Sequence, residues 1–203
     1  YLSGYIPSIT NAFFETMSGF SSTGATILND IEKLPHGLLF WRSMTQWIGG
    51  LGIVFFTIAV LPIFGVGGIQ VFAAEASGPT HDKVHPRIGI TAKWIWGIYA
   101  GLTGTLIILL MFGGMNIFDS ICHAFATTST GGFSTKQASI EYYHSPYIEY
   151  VISIFMFISG INFTLLLLFV NGKLKKFVHD AELKWYFWSV TGFTIVIAAI
   201  LYY

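Results

Sequence analysis

Two short polar stretches carry the residue types that could handle an ion. They are SSTGAT at 21–26 and TSTGGFS at 128–134. Both are rich in hydroxyls, which can bind a cation or brace a loop. Each contains glycine, which reaches backbone angles other residues avoid. Backbone carbonyls displayed by such a stretch can replace the hydration shell of a cation. A lone S-T-G is common in ordinary turns. What lifts these two above that reading is their setting in the chain.

Each stretch follows a segment that is apolar but short, Asn11–Phe20 and Asp119–Thr127. Ten residues of helix cover only about 15 Å. Asn11 and Asp119 are good helix N-caps. The surroundings are a membrane chain: of 203 residues 54% are hydrophobic and 10% charged, with mean hydropathy +0.66. Six Trp and ten Tyr suit helices anchored at bilayer interfaces. Polar backbone cannot face lipid, because each unpaired amide there costs several kcal/mol. Both segments therefore read as re-entrant helices followed by loops that are buried in protein or line a water-filled path. The C-terminal end of such a helix carries partial negative charge, and aimed at a central cavity it favours a cation.

Spanning helices must hold these loops. Four segments are long and apolar enough: 38–64, 90–112, 147–170 and 185–203. An offset of 108 residues (119 minus 11) pairs Asn11 with Asp119, Glu15 with His123, Gly24 with Gly132 and Gly52 with Gly160. The unit is spanning helix, re-entrant helix, polar loop, spanning helix. Residues 1–72 are the end of a first unit, 73–89 a cytoplasmic linker, 90–172 a complete second unit, and 173–203 a second cytoplasmic linker with the first helix of a third unit. Lys83, Arg87 and Lys93 in one connection, and Lys173, Lys175, Lys176 and Lys184 in the other, place both connections in the cytoplasm. The chain opens at Tyr1 without an initiator Met and closes inside an apolar run, so further chain is expected at both ends.

Several stretches then resemble one family: ETMSGFSSTGATI, FWRSMTQWIGGLGI, EASGPTHDKVHPRIGITAKW, FDSICHAFATTSTGGFST and FISGINFTLLL. Together they are similar to the Trk/Ktr/HKT superfamily of potassium transporters, and within it to the TrkH-type subunit of bacterial Trk systems. The resemblance implies an all-α membrane protein of repeated membrane helix–pore loop–membrane helix units, as in potassium channels, with about half of a four-unit pore present here. It implies potassium uptake through a filter of backbone carbonyls. Each loop gives one filter glycine, here Gly24 and Gly132, with backbone neighbours Ser22, Thr23, Ala25, Thr130, Gly131 and Phe133. Potassium is then the transported ion at those residues, and no cofactor is implied. The family further implies a homodimer in lipid, a cytoplasmic nucleotide-binding regulatory ring of TrkA type, and a multi-pass place in the bacterial inner membrane. Its gating loop would lie beyond Tyr203. Neither loop has the longer TVGYG of tetrameric potassium channels, which leaves a sodium-permeable or unselective cation path as the alternative.

Other features have plainer readings. Structural bonds near the outer vestibule are favoured over ion contact for Glu15 and His123. Arg42 is expected to anchor a helix at the interface or pair with an acid. Gln46 and Asn162 are expected to bond between helices. Glycines 49, 50, 52, 97, 101 and 104 are expected to permit close helix packing. GVGG at 65–68 follows a membrane helix rather than a strand, which argues against a phosphate loop. His81 and His85 have metal-ligand spacing only on a helix, and Pro79 and Pro86 argue against one. An intramembrane protease is disfavoured: the four spans hold no Asp, and their one carboxylate is Glu149. Balanced charge, ten basic against ten acidic residues, gives no reason to expect a nucleic-acid partner, and the single Cys122 excludes an internal disulfide. A purely structural membrane protein would leave both buried polar loops unexplained.

Overall fold

The structure, a computed structural model, describes residues 4–60 and 85–202. GVGG at 65–68, His81 and most of the first expected linker lie outside the described residues. Among those described there are eight α-helices and no strands. The helices are α1 (Ile9–Phe20), α2 (His36–Val60), α3 (His85–Phe112), α4 (Ile117–Thr128), α5 (Pro146–Ser159), α6 (Phe163–Val170), α7 (Leu174–His179) and α8 (Ala181–Tyr202). Lys93–Phe112 and Ala181–Tyr202 are each long and apolar enough to cross a membrane alone, with mean hydropathies of 1.9 and 1.5. The chain divides into two compact units, residues 1–159 and 160–203.

The first short helix ends at Phe20 as the sequence predicts, the second at Thr128, one residue beyond the expected Thr127, and both begin earlier than expected. Each has 12 residues. The caps are Ser8 and Asn116, three residues before the expected Asn11 and Asp119. Asn116 Oδ1 accepts from the Asp119 amide at 2.8 Å, while its Nδ2 donates to Asp119 Oδ2 at 2.7 Å. Such reciprocal bonding needs a partner at the third helical residue, which is where Asp119 sits.

In the first unit, α2 lies against both short helices, and α4 lies against α3 and α5. Leu106 and Leu110 of α3, Met115 and Ala124, and Ile148, Ile152 and Phe155 of α5 form one buried cluster. Trp47 joins three helices. Its ring stacks on Phe125 at 5.2 Å, and its Nε1 donates to Thr103 Oγ1 at 3.0 Å. Tyr99 returns a hydrogen bond to the Trp47 carbonyl at 3.0 Å.

Among the described residues, close approach is seen at two of the six expected glycines. A Cβ on Gly49 would overlap the Phe20 carbonyl oxygen, and one on Gly50 would lie 2.9 Å from both Ser129 Cβ and the Tyr99 hydroxyl. A Cβ on Gly52, Gly97, Gly101 or Gly104 would meet no other atom of the described residues within 4 Å.

The third expected span, 147–170, is not one helix. α5 stops at Ser159 and α6 restarts at Phe163, capped by Asn162, whose Oδ1 accepts from the Thr164 amide at 2.9 Å. Asn162 is thus a cap at a break rather than a mid-span residue. Its Nδ2 reaches Glu182 at 3.2 and 3.3 Å. Within this second unit, the Tyr186 hydroxyl occupies the space a Cβ on Gly160 would need. His85 opens α3, with Pro86 in its first turn, where proline is tolerated.

The packing yields a stability contrast. Gly49→Ala drives a methyl into the Phe20 backbone, so the full-length protein carrying it should melt well below wild type in detergent. Gly37→Ala, on the same helix with open space around it, should match or exceed wild type, since alanine is favoured by about 1 kcal/mol in a helix. Equal melting temperatures for the two would contradict the α1–α2 contact.

Candidate functional site

The two polar loops repeat each other in backbone as well as sequence. After α1, the Ser22 amide donates to the Gly19 carbonyl and the Thr23 amide to the Ser18 carbonyl, both at 3.0 Å. After α4, Thr130 donates to Thr127 at 3.0 Å and Gly131 to Ala126 at 2.8 Å. These paired bonds tie off the last helical carbonyls and require a left-handed residue just past the helix. That residue is Ser22 at φ 53° in one loop and Thr130 at φ 55° in the other. Glycine is usual there, and a non-glycine residue pays about 1–2 kcal/mol. Two residues later the chain turns left-handed again, at Gly24 (φ 76°) and Gly132 (φ 84°). All of these pairs follow the 108-residue offset. Left-handed residues at alternate positions can turn successive carbonyls towards one side, which an extended strand does not do.

The loops touch. A Cβ on Gly24 would overlap the Gly131 carbonyl oxygen. Gly131 is itself pressed from behind, where a Cβ would overlap Gln46 Cδ and lie 2.6 Å from both Gln46 amide atoms. Gly132 meets nothing within 4 Å and is exposed. Thr23, Ala25 and Thr130 are also exposed, Ser22 and Gly24 are half-buried, and Gly131 and Phe133 are buried.

Each loop is braced by the short helix that precedes it. Glu15 on α1 is 5% exposed. Its carboxylate accepts from Thr26 Oγ1 at 2.9 and 3.1 Å and from the Ile27 amide at 3.1 Å. Arg42 on α2, 7% exposed, donates to Glu15 Oε1 through Nε at 2.9 Å and Nη2 at 2.8 Å. In the second loop, His123 takes the place of Glu15 and Ser134 that of Thr26. His123 Nδ1 lies 2.8 Å from the Asp119 carbonyl, which can only accept, so Nδ1 carries the proton. In the neutral ring Nε2 then accepts from Ser134 Oγ at 3.1 Å. Asp119 adds a second brace, accepting from Thr135 Oγ1 at 2.6 Å.

Arg42 and Gln46, one turn apart on α2, also cross to the second loop. Arg42 Nη1 donates to the Ser134 carbonyl at 3.4 Å, and its guanidinium lies 4.1 Å from the Phe133 ring centre. Gln46 Oε1 accepts from the Phe133 amide at 3.1 Å. The structural readings of Glu15, His123 and Arg42 agree with this geometry. The reading of Gln46 needs correction, because its side chain bonds a loop rather than another helix. Sequence alone could not show that, since the partner is 87 residues away and is a backbone group. Among the described residues, no cluster of three or more His, Cys, Asp or Glu could hold a metal ion.

Comparison with known proteins assigns the family. The family model described as TrkH, "Cation transport protein", matches residues 2–201. The chain belongs to the TrkH family. It is 47% identical over 196 residues to the "Trk system potassium uptake protein TrkH" of Escherichia coli K12, covering 96% of this chain and 40% of that protein. It is 38% identical over 188 residues to the TrkG protein of the same organism, covering 92% of this chain and 39% of that one. The crystal structure of the potassium transporter TrkH from Vibrio parahaemolyticus superposes with a TM-score of 0.69 at 37% identity, over 90% of this chain and 34% of that one. The chain thus spans about 40% of the length of the curated relatives it matches. Its all-helical architecture, with short helices each followed by a polar loop, agrees with the TrkH fold.

For this TrkH-family chain, Gly24 and Gly132 differ in what they tolerate. Gly24→Ser places a side chain on the Gly131 carbonyl as well as straining φ, and should sharply lower the melting temperature. Gly132→Ser adds only backbone strain of about 1–2 kcal/mol. The reverse order in a thermal melt would contradict the loop–loop contact. Arg42→Met leaves a buried carboxylate without its counter-charge and should cost about 3–5 kcal/mol. Glu15→Gln combined with Arg42→Met should cost less than the sum of the two single changes. Simple additivity in that cycle would mean the pair is not coupled.

Proposed function

We propose that this chain is part of a potassium uptake pore, and that residues 22–25 and 130–133 supply two of the four sides of its carbonyl filter. The observation that carries the reading is the repeated backbone. Two loops 108 residues apart in sequence share the same left-handed positions, the same helix-terminating bonds and a mutual contact at Gly24 and Gly131. That contact puts both loops at one place, as a shared ion path needs. The names of the relatives, potassium uptake proteins rather than enzymes, support the ion and the direction of transport.

The chemistry is dehydration compensated by fixed dipoles. An entering cation loses water, and carbonyl oxygens held at set spacing replace it. The braces at Glu15–Thr26 and His123–Ser134 keep those oxygens from collapsing onto a smaller ion. The C-termini of α1 and α4 add partial negative charge at the start of each loop. On this reading the chain sits in the bacterial inner membrane, works as a homodimer, and is gated by a cytoplasmic nucleotide-binding ring of TrkA type docking on the basic connections, which include Lys173, Lys175 and Lys176.

The test uses the full-length protein in a cell that lacks other potassium uptake. Gly132→Ser should reduce growth at low potassium and lower the ratio of rubidium to sodium flux. Unchanged growth and an unchanged ratio would remove Gly132 from the filter. A wild-type flux ratio near unity would favour the sodium-permeable or unselective alternative. Topology is checked separately: a cysteine at Lys175, on a Cys122-free background, should resist an impermeant thiol reagent added outside intact cells, and rapid labelling would invert the assigned orientation.

A further inference from the structure

We infer that Gln46 is a positioning residue that sets the spacing between the first and second filter loops, and thereby the ion selectivity of the pore. This rests on the filter reading above.

Gln46 meets both loops. Its backbone carbonyl lies 3.4 Å from Ser22 Oγ, which donates to it from the first loop. Its side-chain Oε1 takes the Phe133 amide at 3.1 Å in the second. The side chain lies flat against Gly131, leaving no room for a Cβ there, and its Nε2 is 3.7 Å from where a Cβ on Gly24 would stand. Gln46 is fully buried at 0% exposure. The orientation of the amide is fixed by chemistry, because only the oxygen can accept from an N–H.

The other end of that amide shows what the residue is for. Nε2 is buried and has no hydrogen-bond partner among the described residues. A buried donor left unpaired is unfavourable, and an apolar side chain of the same size would avoid it. The glutamine is therefore not explained by packing. Its oxygen is needed at the Phe133 amide, where the second loop's backbone between two proposed ligands is held from outside its own unit. The 108-residue repeat does not reproduce the arrangement: the position matching Gln46 is Ile154, 56% exposed, and that matching Arg42 is Tyr150, 72% exposed. Among the described residues the clamp thus sits where these two loops meet and has no counterpart at the matching positions of the second unit. Releasing it lets the Gly131 and Phe133 carbonyls relax towards a smaller ion, so sodium gains on potassium.

The experiment compares Gln46→Met and Gln46→Asn in the full-length protein reconstituted in liposomes, with Gly132→Ser as control. Methionine keeps the volume and loses the acceptor. Asparagine keeps the amide but falls short of Phe133 and introduces no clash, so it reports even if the methionine variant folds poorly. Loss of one backbone hydrogen bond at the filter should lower the rubidium-to-sodium permeability ratio about tenfold, through a raised KM for rubidium, with Vmax per folded transporter changed less than about twofold. A fall in Vmax and melting temperature with ratio and KM intact would mean Gln46 only supports the fold, and would overturn the inference. If Gly132→Ser lowers the ratio and the Gln46 variants do not, the filter reading stands and this inference falls. If none of the three changes it, both fall.

Discussion

A carboxylate and a guanidinium withdrawn from water inside a membrane protein are tolerable only together, and the Glu15–Arg42 pair is the constraint on which the rest of the arrangement depends. Alone, either charge would carry a desolvation penalty of several kcal/mol. Paired at 2.8 Å, they still have unused bonding capacity. Glu15 spends it on Thr26 and the Ile27 amide, Arg42 on the Ser134 carbonyl and the face of Phe133. Satisfying two charges therefore fixes two loops. By contrast the exposed Asp30–Lys33 pair, at 2.6 Å, fixes only its own turn and adds little to stability.

The repeat conserves geometry while changing chemistry. Glu15 and His123 occupy matching places, and each holds the hydroxyl two residues past its loop's second left-handed residue, Gly24 or Gly132: Thr26 in one loop and Ser134 in the other. The first brace is charged and needs Arg42. The second is neutral: Nδ1 of His123 donates to the Asp119 carbonyl and Nε2 accepts from Ser134. One arginine at the junction of two loops can thus serve the first through its carboxylate and the second through a carbonyl and an aromatic ring. A second carboxylate in place of His123 would need a second buried cation, and Asp119 is already engaged with Thr135 and Asn116.

Glycine serves this site for two separate physical reasons. Gly132 is needed for its backbone angle and has open space around it, whereas Gly131 is needed for the approach of Gln46. Gly24 answers to both, with φ at 76° and the Gly131 carbonyl against its Cα. The adjacent glycines of TSTGGFS therefore do different work, and by offset and backbone angle the second matches Gly24 of the first loop.

Hydropathy, segment length and the 108-residue offset were enough to determine the membrane class, the two short helices with their polar loops and the pairing of Gly24 with Gly132, because each is written in local composition and spacing. The pairing of Glu15 with His123 was legible for the same reason. Helix starts at Ser8 and Asn116 were misplaced because several polar residues near each start can cap, and side-chain geometry selects among them. The break at 160–162 was hidden by an apolar run that hydropathy reads as continuous, although Asn162 caps a new helix there. Partner identity belonged to tertiary structure alone. Nothing local in RSMTQW says that Arg42 reaches Glu15 at a separation of 27 residues and Ser134 at 92, or that Gln46 holds a backbone amide 87 residues on. Those contacts exist because α2 is packed between both short helices, and that packing is decided by the whole fold, not by the sequence around the residues it joins.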